Sequence, residues 1–443
     1  MANFAKPSVP RFAVEAYQNE FLPAGGRDVH AIVTVTATGG ATATRAVAPG
    51  GAAVVIMVDC SGSMEYPAAK MRGAREATAA AIDTLRDGTA FAVIAGTHEA
   101  REVYPGQGRL ALADATTRAQ AKEALRGLTA GGGTAIGTWL RLADALLLGS
   151  SATIRHGILL TDGRNEHEEP AALRARLDAC AGRFTCDARG VGTDWEVEEV
   201  TGIASALLGT ADIVADPAHL TEDFTHMMEK VMGKEVADVA LRLWTPVGAE
   251  IQYVKQVAPA VLDLTGRRTD AGPRAGDYPT GSWGDESREY HVCVRVPAGG
   301  SVGQEMLAAR LSLVLPGPVT AMTPAAAPAP ALIRAVWTDD LAASTAINPH
   351  VAHYTGQAEL AQAIQAGLRA RKLGDADGAT AKLGRAVQLA QASGNADTAK
   401  LLAKVVDVVD AAAGTVRLKA TVADADEMTL DTRSTQTVRV KRS

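Results

Sequence analysis

The sequence predicts a doubly wound α/β domain inserted into a β-sandwich and followed by a helical region. Three observations carry this reading. Apolar runs without alternation recur between helical stretches from residue 50 to residue 233, as parallel strands buried on both faces require. Short β-like stretches with Gly- and Pro-rich turns flank that segment on both sides, and the shared texture makes one interrupted β domain the economical arrangement. Beyond residue 349 the apolar residues fall into helical stripes.

In chain order, residues 1–49 carry β-like stretches at 12–16 and 29–36 and form the first part of the sandwich. Residues 50–233 alternate strands at 53–58 (AVVIMV), 91–95, 156–161 (HGILLT), 185–191 and 211–214 with helices at 67–85, 170–180 and 196–206, and residues 122–128 close a further helix. A further helix carries Ile136, Leu140, Ala143 and Leu147 on one face. Residues 234–340 return to strands at 239–244, 289–296, 307–314 and 331–337 and complete the sandwich. Residues 341–413 form a helical hairpin region with stripes Leu360/Ile364/Leu368, Leu383/Val387/Ala390 and Leu401/Val405/Val408. Its turns fall at Gly374-Asp375 and Gly394-Asn395, where glycine caps a helix end. Residues 414–443 are Thr-rich and basic at the end, with Arg433, Arg439, Lys441 and Arg442, and read as a mobile tail.

Acidic residues outnumber basic ones by 50 to 44, which argues against a general nucleic-acid or anionic-membrane binder. The first residues lack the apolar core of a signal peptide, and no later run approaches the ~20 apolar residues of a membrane span. A cytoplasmic location is therefore expected. Cys60, Cys180, Cys186 and Cys293 stand singly, without metal-knuckle or redox spacing, and are expected as reduced, mostly buried thiols. The glycines of 131–137 follow a helix rather than a strand, so they do not read as a dinucleotide loop, and there is no phosphate-binding loop of the G-x-x-x-x-G-K-[ST] type.

The residues suited to chemistry sit where apolar strands end. Asp59-Cys60-Ser61-Gly62-Ser63 follows the strand at 53–58, and Thr161-Asp162-Gly163 ends the strand at 156–161. Gly131-Gly132-Gly133-Thr134 adds a hydroxyl on a loop that can approach closely. The C-terminal edge of an open α/β sheet is where such folds bind ligands. Each motif alone is an ordinary turn. Together, Asp59, Ser61, Ser63, Thr134 and Asp162 make a donor set of oxygen only, which suits a hard divalent cation such as Mg²⁺, with Mn²⁺ or Ca²⁺ as alternatives. Nearby, residues 166–169 (EHEE) read as a solvated helix start, or as rim residues tuning which acid approaches. His350 and His353 lack a third ligand and read as packing or capping residues.

The ordered motifs DCSGS, GGGT and TDG resemble the metal-ion-dependent adhesion site of a von Willebrand factor A domain, over roughly residues 50–233. All five positions of that motif are present. The resemblance implies that Ser61, Ser63 and Thr134 contact the ion, that Asp59 and Asp162 act directly or through water, and that a protein partner presents an Asp or Glu to the metal. The phrases YTGQAEL (354–360) and LLAKVVDVVD (401–410) are similar to those of cytoplasmic actinobacterial von Willebrand A proteins. Those proteins accompany a Ser/Thr kinase, a protein phosphatase 2C and a forkhead-associated protein. That likeness implies a signalling setting, with Thr429 or Thr432 as phosphorylation sites read by a forkhead-associated partner. The same threonines also suit a last strand with a frayed end. The resulting expectation is a non-enzymatic, metal-dependent interaction scaffold. The alternative is a metal-dependent phosphatase or hydrolase using Asp59 as nucleophile, for which only His167 and Arg164 stand near as helpers.

Overall fold

The computed structural model describes residues 10–39, 51–297, 300–316 and 328–440. The chain forms two compact units, one of residues 41–237 and one of residues 1–40 together with 238–443. Three strands come first: β1 (Arg11–Asn19), β2 (Phe21–Leu22) and β3 (Asp28–Thr38).

The next unit is the α/β one. Its elements are β4 (Ala52–Asp59), α1 (Ala69–Thr84), β5 (Ala90–Gly96), β6 (Ala100–Tyr104), β7 (Ala111–Leu112), α2 (Ala115–Leu125) and α3 (Ile136–Leu148). They continue as β8 (Ile154–Thr161), α4 (Pro170–Cys180), β9 (Thr185–Val191), α5 (Val197–Ala206), β10 (Ala211–Val214) and α6 (Leu220–Met232). The sheet order is β10-β9-β8-β4-β5-β6, with β7 also on β5. The first five of these pair in parallel, and β6 and β7 run antiparallel to β5. Every residue of β4 and β5 is buried, which is why both read as unbroken apolar runs. Val54, Ile56 and Val58 pack in one cluster with Ala74, Ala77 and Ala81 of α1 and Phe224, Met227 and Met228 of α6. Because β4 is central, its last residue, Asp59, lies in the middle of the sheet's C-terminal edge.

The helix expected to close at 122–128 is α2, which ends at Leu125; it starts at Ala115, where the Asp114 side chain accepts the Thr117 N–H and Thr117 Oγ1 accepts the Asp114 N–H, a reciprocal cap that fixes the start. Helix α6 has Leu220, Phe224, Met227, Met228 and Val231 buried at helical spacing.

The remaining unit holds β11 (Val236–Trp244), β12 (Glu250–Ala258), β13 (Leu262–Asp263), β14 (Thr269–Asp270), β15 (Ala275–Trp283), β16 (Glu286–Arg295), β17 (Glu305–Val314) and β18 (Ala331–Trp337). One sheet has the order β1-β3-β16-β12-β13 and the other β14-β15-β11-β17-β18-β2. Strand β3 pairs antiparallel with both β1 and β16, so strands from before the α/β unit and after it share one sheet. Strands β12 and β15 carry little strand signal of their own, because IQYVKQVA and AGDYPTGSW are polar or Gly- and Pro-containing; they are held by neighbours, not by propensity.

After α7 (Leu341–Thr345) come α8 (Pro349–Lys372), α9 (Ala376–Ser393), α10 (Ala396–Val405), β19 (Val406–Asp410), β20 (Thr415–Leu418) and α11 (Asp424–Arg433). Leu360, Ile364, Leu368, Leu383, Val387, Ala390, Leu402 and Leu430 share one core. The third helical stripe is only partly helical: α10 ends at Val405, and Val408 lies on β19, which pairs antiparallel with β20. A run of valines favours the extended form once a partner strand is present.

Residues 415–433 are likewise not a mobile tail. Leu430 is fully buried and anchors α11, and further on Val261 N–H donates to Thr435 O and Thr437 N–H to Pro259 O. Thr432 is 4% exposed, and Thr429 Oγ1 donates to the Ala425 carbonyl within α11, so neither hydroxyl is freely presented. Lys441 and Arg442 lie outside the described residues. His350 stacks on Tyr17 with ring centroids 3.9 Å apart, and His353 Nε2 lies 2.8 Å from Val438 O. All four cysteines are free and buried, and no helix among the described residues is long and apolar enough to cross a membrane.

Candidate metal centre

Asp59 ends β4 and is fully buried. Its Oδ1 accepts the Ser61 N–H at 2.8 Å, and its Oδ2 accepts Thr161 Oγ1–H at 2.7 Å and the Asp162 N–H at 3.4 Å. Burial pushes the carboxyl up to about 6 despite the lowering hydrogen bonds from Ser61 and Thr161, and the neighbouring Asp162 adds to the rise. A buried acid beside a second acid is a place where positive charge is stabilising.

The second loop is stitched to the first by its backbone. Gly131 N–H donates to Cys60 O at 2.8 Å and Gly62 N–H to Gly132 O at 2.9 Å. Gly132 has φ of 81°, a left-handed conformation that glycine tolerates without cost, and the bend delivers Thr134 to the same edge. The third element, Asp162, follows β8, which pairs with β4 in parallel.

The side chains converge. Ser61 Oγ and Ser63 Oγ are 2.9 Å apart, and Ser63 Oγ–H donates to Asp162 Oδ1 at 2.7 Å. A Cβ placed on Gly163 would stand 2.9 Å from Ser63 Oγ, 3.4 Å from Thr134 Oγ1 and 3.7 Å from Ser61 Oγ. Three hydroxyls from two loops thus face one small space beside Asp162. The donors are oxygen throughout, as a hard cation prefers. The residues present therefore fit such an ion. Among the described residues no three His, Cys, Asp or Glu side chains form a metal cluster; here two carboxylates are complemented by hydroxyls.

Several residues around this space carried no readable signal. Lys70 in α1 has Nζ 2.7 Å from Asp162 Oδ2 and 3.0 Å from Asp194 Oδ2. Asn165 Oδ1 accepts the Ile136 N–H at 2.7 Å, and Glu168 Oε2 accepts the Gly137 N–H at 2.8 Å and Asn165 Nδ2–H at 3.1 Å. Together they satisfy the first donors of α3. The run 166–169 is thus more than a solvated helix start: Glu168 turns back onto α3. His167 packs so closely on Gly133 that a Cβ there would overlap its ring, and the His167 backbone N–H donates to Thr134 O at 3.0 Å. An acid or amide just after a strand is a capping signal, but its target helix, more than 25 residues earlier, cannot be read from spacing. Arg164, weighed as a catalytic helper, pairs instead with Glu196 at 3.1 Å. Tyr66, just after the first loop, is 87% exposed.

The profile of the von Willebrand factor type A domain matches residues 52–213, and that of the von Willebrand factor type A C-terminal domain matches residues 388–434. No curated protein matches the chain. Among solved structures, the ArnB paralog VWA2 from Sulfolobus acidocaldarius shares the fold at 14% identity and a TM-score of 0.56, over 95% of this chain and 97% of that one. A von Willebrand factor type A protein from Catenulispora acidiphila is 53% identical with a TM-score of 0.91, over 98% of this chain and 99% of that one. With that likeness running nearly end to end, the chain belongs to the von Willebrand factor type A family.

Proposed function

We propose that this chain is a non-enzymatic interaction scaffold that captures an acidic residue of a protein partner through a Mg²⁺ ion held by Asp59, Ser61, Ser63, Thr134 and Asp162. Domains of this family typically mediate protein–protein interaction and commonly bind a divalent cation at the adhesion site. The observation that supports the reading most is the convergence of the Ser61, Ser63 and Thr134 hydroxyls beside Asp162. Neutral hydroxyls leave much of an ion's charge uncompensated, and when bound the ion supplies a positive coordination position that an incoming carboxylate fills. Asp59 orients the first loop through the Ser61 N–H and ties it to β8 through Thr161. Asp162 holds Ser63 in place. With both its oxygens engaged and its side chain buried, Asp59 is poorly disposed to attack a substrate, which favours the scaffold over the phosphatase or hydrolase reading.

Asp59→Ala is expected to keep the fold and abolish partner capture in a pull-down, as EDTA does for the unmodified chain. Capture that survives both treatments overturns the metal reading. The kinase, phosphatase and forkhead setting is a subordinate proposal, because α11 would have to open for Thr432 to be modified. Equal affinity of a forkhead-associated domain for phosphorylated and unmodified peptides spanning Thr429 and Thr432 removes it.

A further inference from the structure

One positive charge already sits in the candidate centre. Lys70 is 5% exposed, and its ammonium is 2.7 Å from Asp162 Oδ2, 3.0 Å from Asp194 Oδ2 and 3.5 Å from the Ser63 carbonyl oxygen. The other Asp162 oxygen is occupied by Ser63. Lys70 therefore holds the one carboxylate oxygen of Asp162 that a hydroxyl does not. Its second partner is different in kind: the Asp194 side chain is 67% exposed and lies in the loop between β9 and α5.

We infer that Lys70 competes with the divalent cation for Asp162, and that Asp194 takes up the lysine when the cation gains that carboxylate. The inference rests on the metal reading above and adds a setting of affinity and a coupling to the partner's acid. The buried trio of Asp59, Asp162 and Lys70 carries one net negative charge in its ordinary ionised form. A divalent ion turns that into one net positive charge, which draws in a carboxylate. With a neutral residue at position 70, the same ion would end at zero. Lys70 thus weakens the site for the cation alone and strengthens the loaded site for an acid, a coupling that is reciprocal between the two ligands. Asp194 works through Lys70 and is a positioning residue.

The experiment uses the full chain and titrates Mg²⁺ calorimetrically, with and without sodium acetate as the carboxylate probe and sodium chloride as the ionic-strength control. Lys70→Met is expected to bind Mg²⁺ alone about tenfold tighter, the scale of one unit charge at close range under strong screening, and to lose most of the acetate enhancement. Lys70→Arg keeps the charge and should restore the acetate enhancement. Asp194→Asn, an exposed change that should leave the fold intact, is expected to weaken Mg²⁺ binding, and to have no further effect once Lys70 is methionine. A folded Lys70→Met chain with equal or weaker Mg²⁺ affinity, or a tighter Asp194→Asn chain, overturns the inference and leaves the metal reading standing. If Lys70→Met fails to fold, the Asp194→Asn result decides. No binding of Mg²⁺ or Mn²⁺ by the unmodified chain overturns both.

Discussion

Gly163→Ala tests the centre with a single methyl group. The added Cβ would stand 2.9 Å from Ser63 Oγ, 3.4 Å from Thr134 Oγ1 and 3.7 Å from Ser61 Oγ, against the same three oxygens that would hold the ion. Gly163 is not among the positive-φ residues, so alanine meets no backbone penalty. Its closest neighbours are hydroxyl ends that can give, and the steric cost should stay within the about 1–3 kcal/mol of modest overpacking. The cation effect is of the same size but has a separate readout, because the steric cost is the same in EDTA and in Mg²⁺. A ligand at a hundred times its Kd stabilises the native state by about 2.7 kcal/mol. For a unit of this size that corresponds to a rise in melting temperature of about 5–11 °C, at about 2–4 °C per kcal/mol. Scanning calorimetry in EDTA and in saturating Mg²⁺ should show that rise in the unmodified chain and almost none in Gly163→Ala. A folded variant with the same Mg²⁺-dependent rise would refute the placement of the ion at these hydroxyls.

Two further outcomes follow from groups away from the centre. Burial would raise the Asp187 carboxyl, but His156, whose Nε2 is 2.9 Å from Oδ2, together with Arg189 and Thr210, holds it well below the ordinary value of 3.8. A depressed carboxyl contributes stability that is fully present above its unfolded pKa of about 3.9 and is lost as the pH falls through the folded value. Asp187→Asn should therefore be less stable at pH 7 by about 1.5–3 kcal/mol, the scale of hydrogen bonds to a charged group, and show a flatter decline in urea midpoint below pH 4; equal slopes for the two proteins would count against the depressed carboxyl. Thr432 Oγ1 is buried without a hydrogen-bond partner among the described residues, so Thr432→Val should be neutral or stabilising. Thr432→Glu should cost several kcal/mol, on the order of an unpaired buried charge. A urea titration in which the valine variant loses more than about 1 kcal/mol, the net worth of a typical hydrogen bond, would show that the hydroxyl has a partner.

The sequence revealed the centre unevenly, and the reason is distance along the chain. Asp59, Ser61 and Ser63 span five residues from the end of a strand whose every position is buried, so composition and order alone expose them. Asp162 is readable because it follows a strand and a parallel sheet brings strand ends to one edge, and Thr134 because three glycines precede it just before α3. Lys70 is different. It sits among the alanines of a helix whose exposed and buried faces both hold charged residues, and nothing local tells a lysine bound for Asp162 from one bound for water. Glu168 is the same case: its cap serves α3, more than thirty residues earlier. The C-terminal region failed for the opposite reason. Val405, Val406, Val408 and Val409 fit a helical stripe and a strand equally well, and β20, which decides between them, is only four residues long. Candidate donor atoms can thus be read from local order, whereas the charges that would set how tightly such donors hold an ion come from elements that only packing brings near. A variant series confined to the motif residues would therefore report whether an ion binds, and changes at Lys70 and Asp194 are needed to test what sets its affinity.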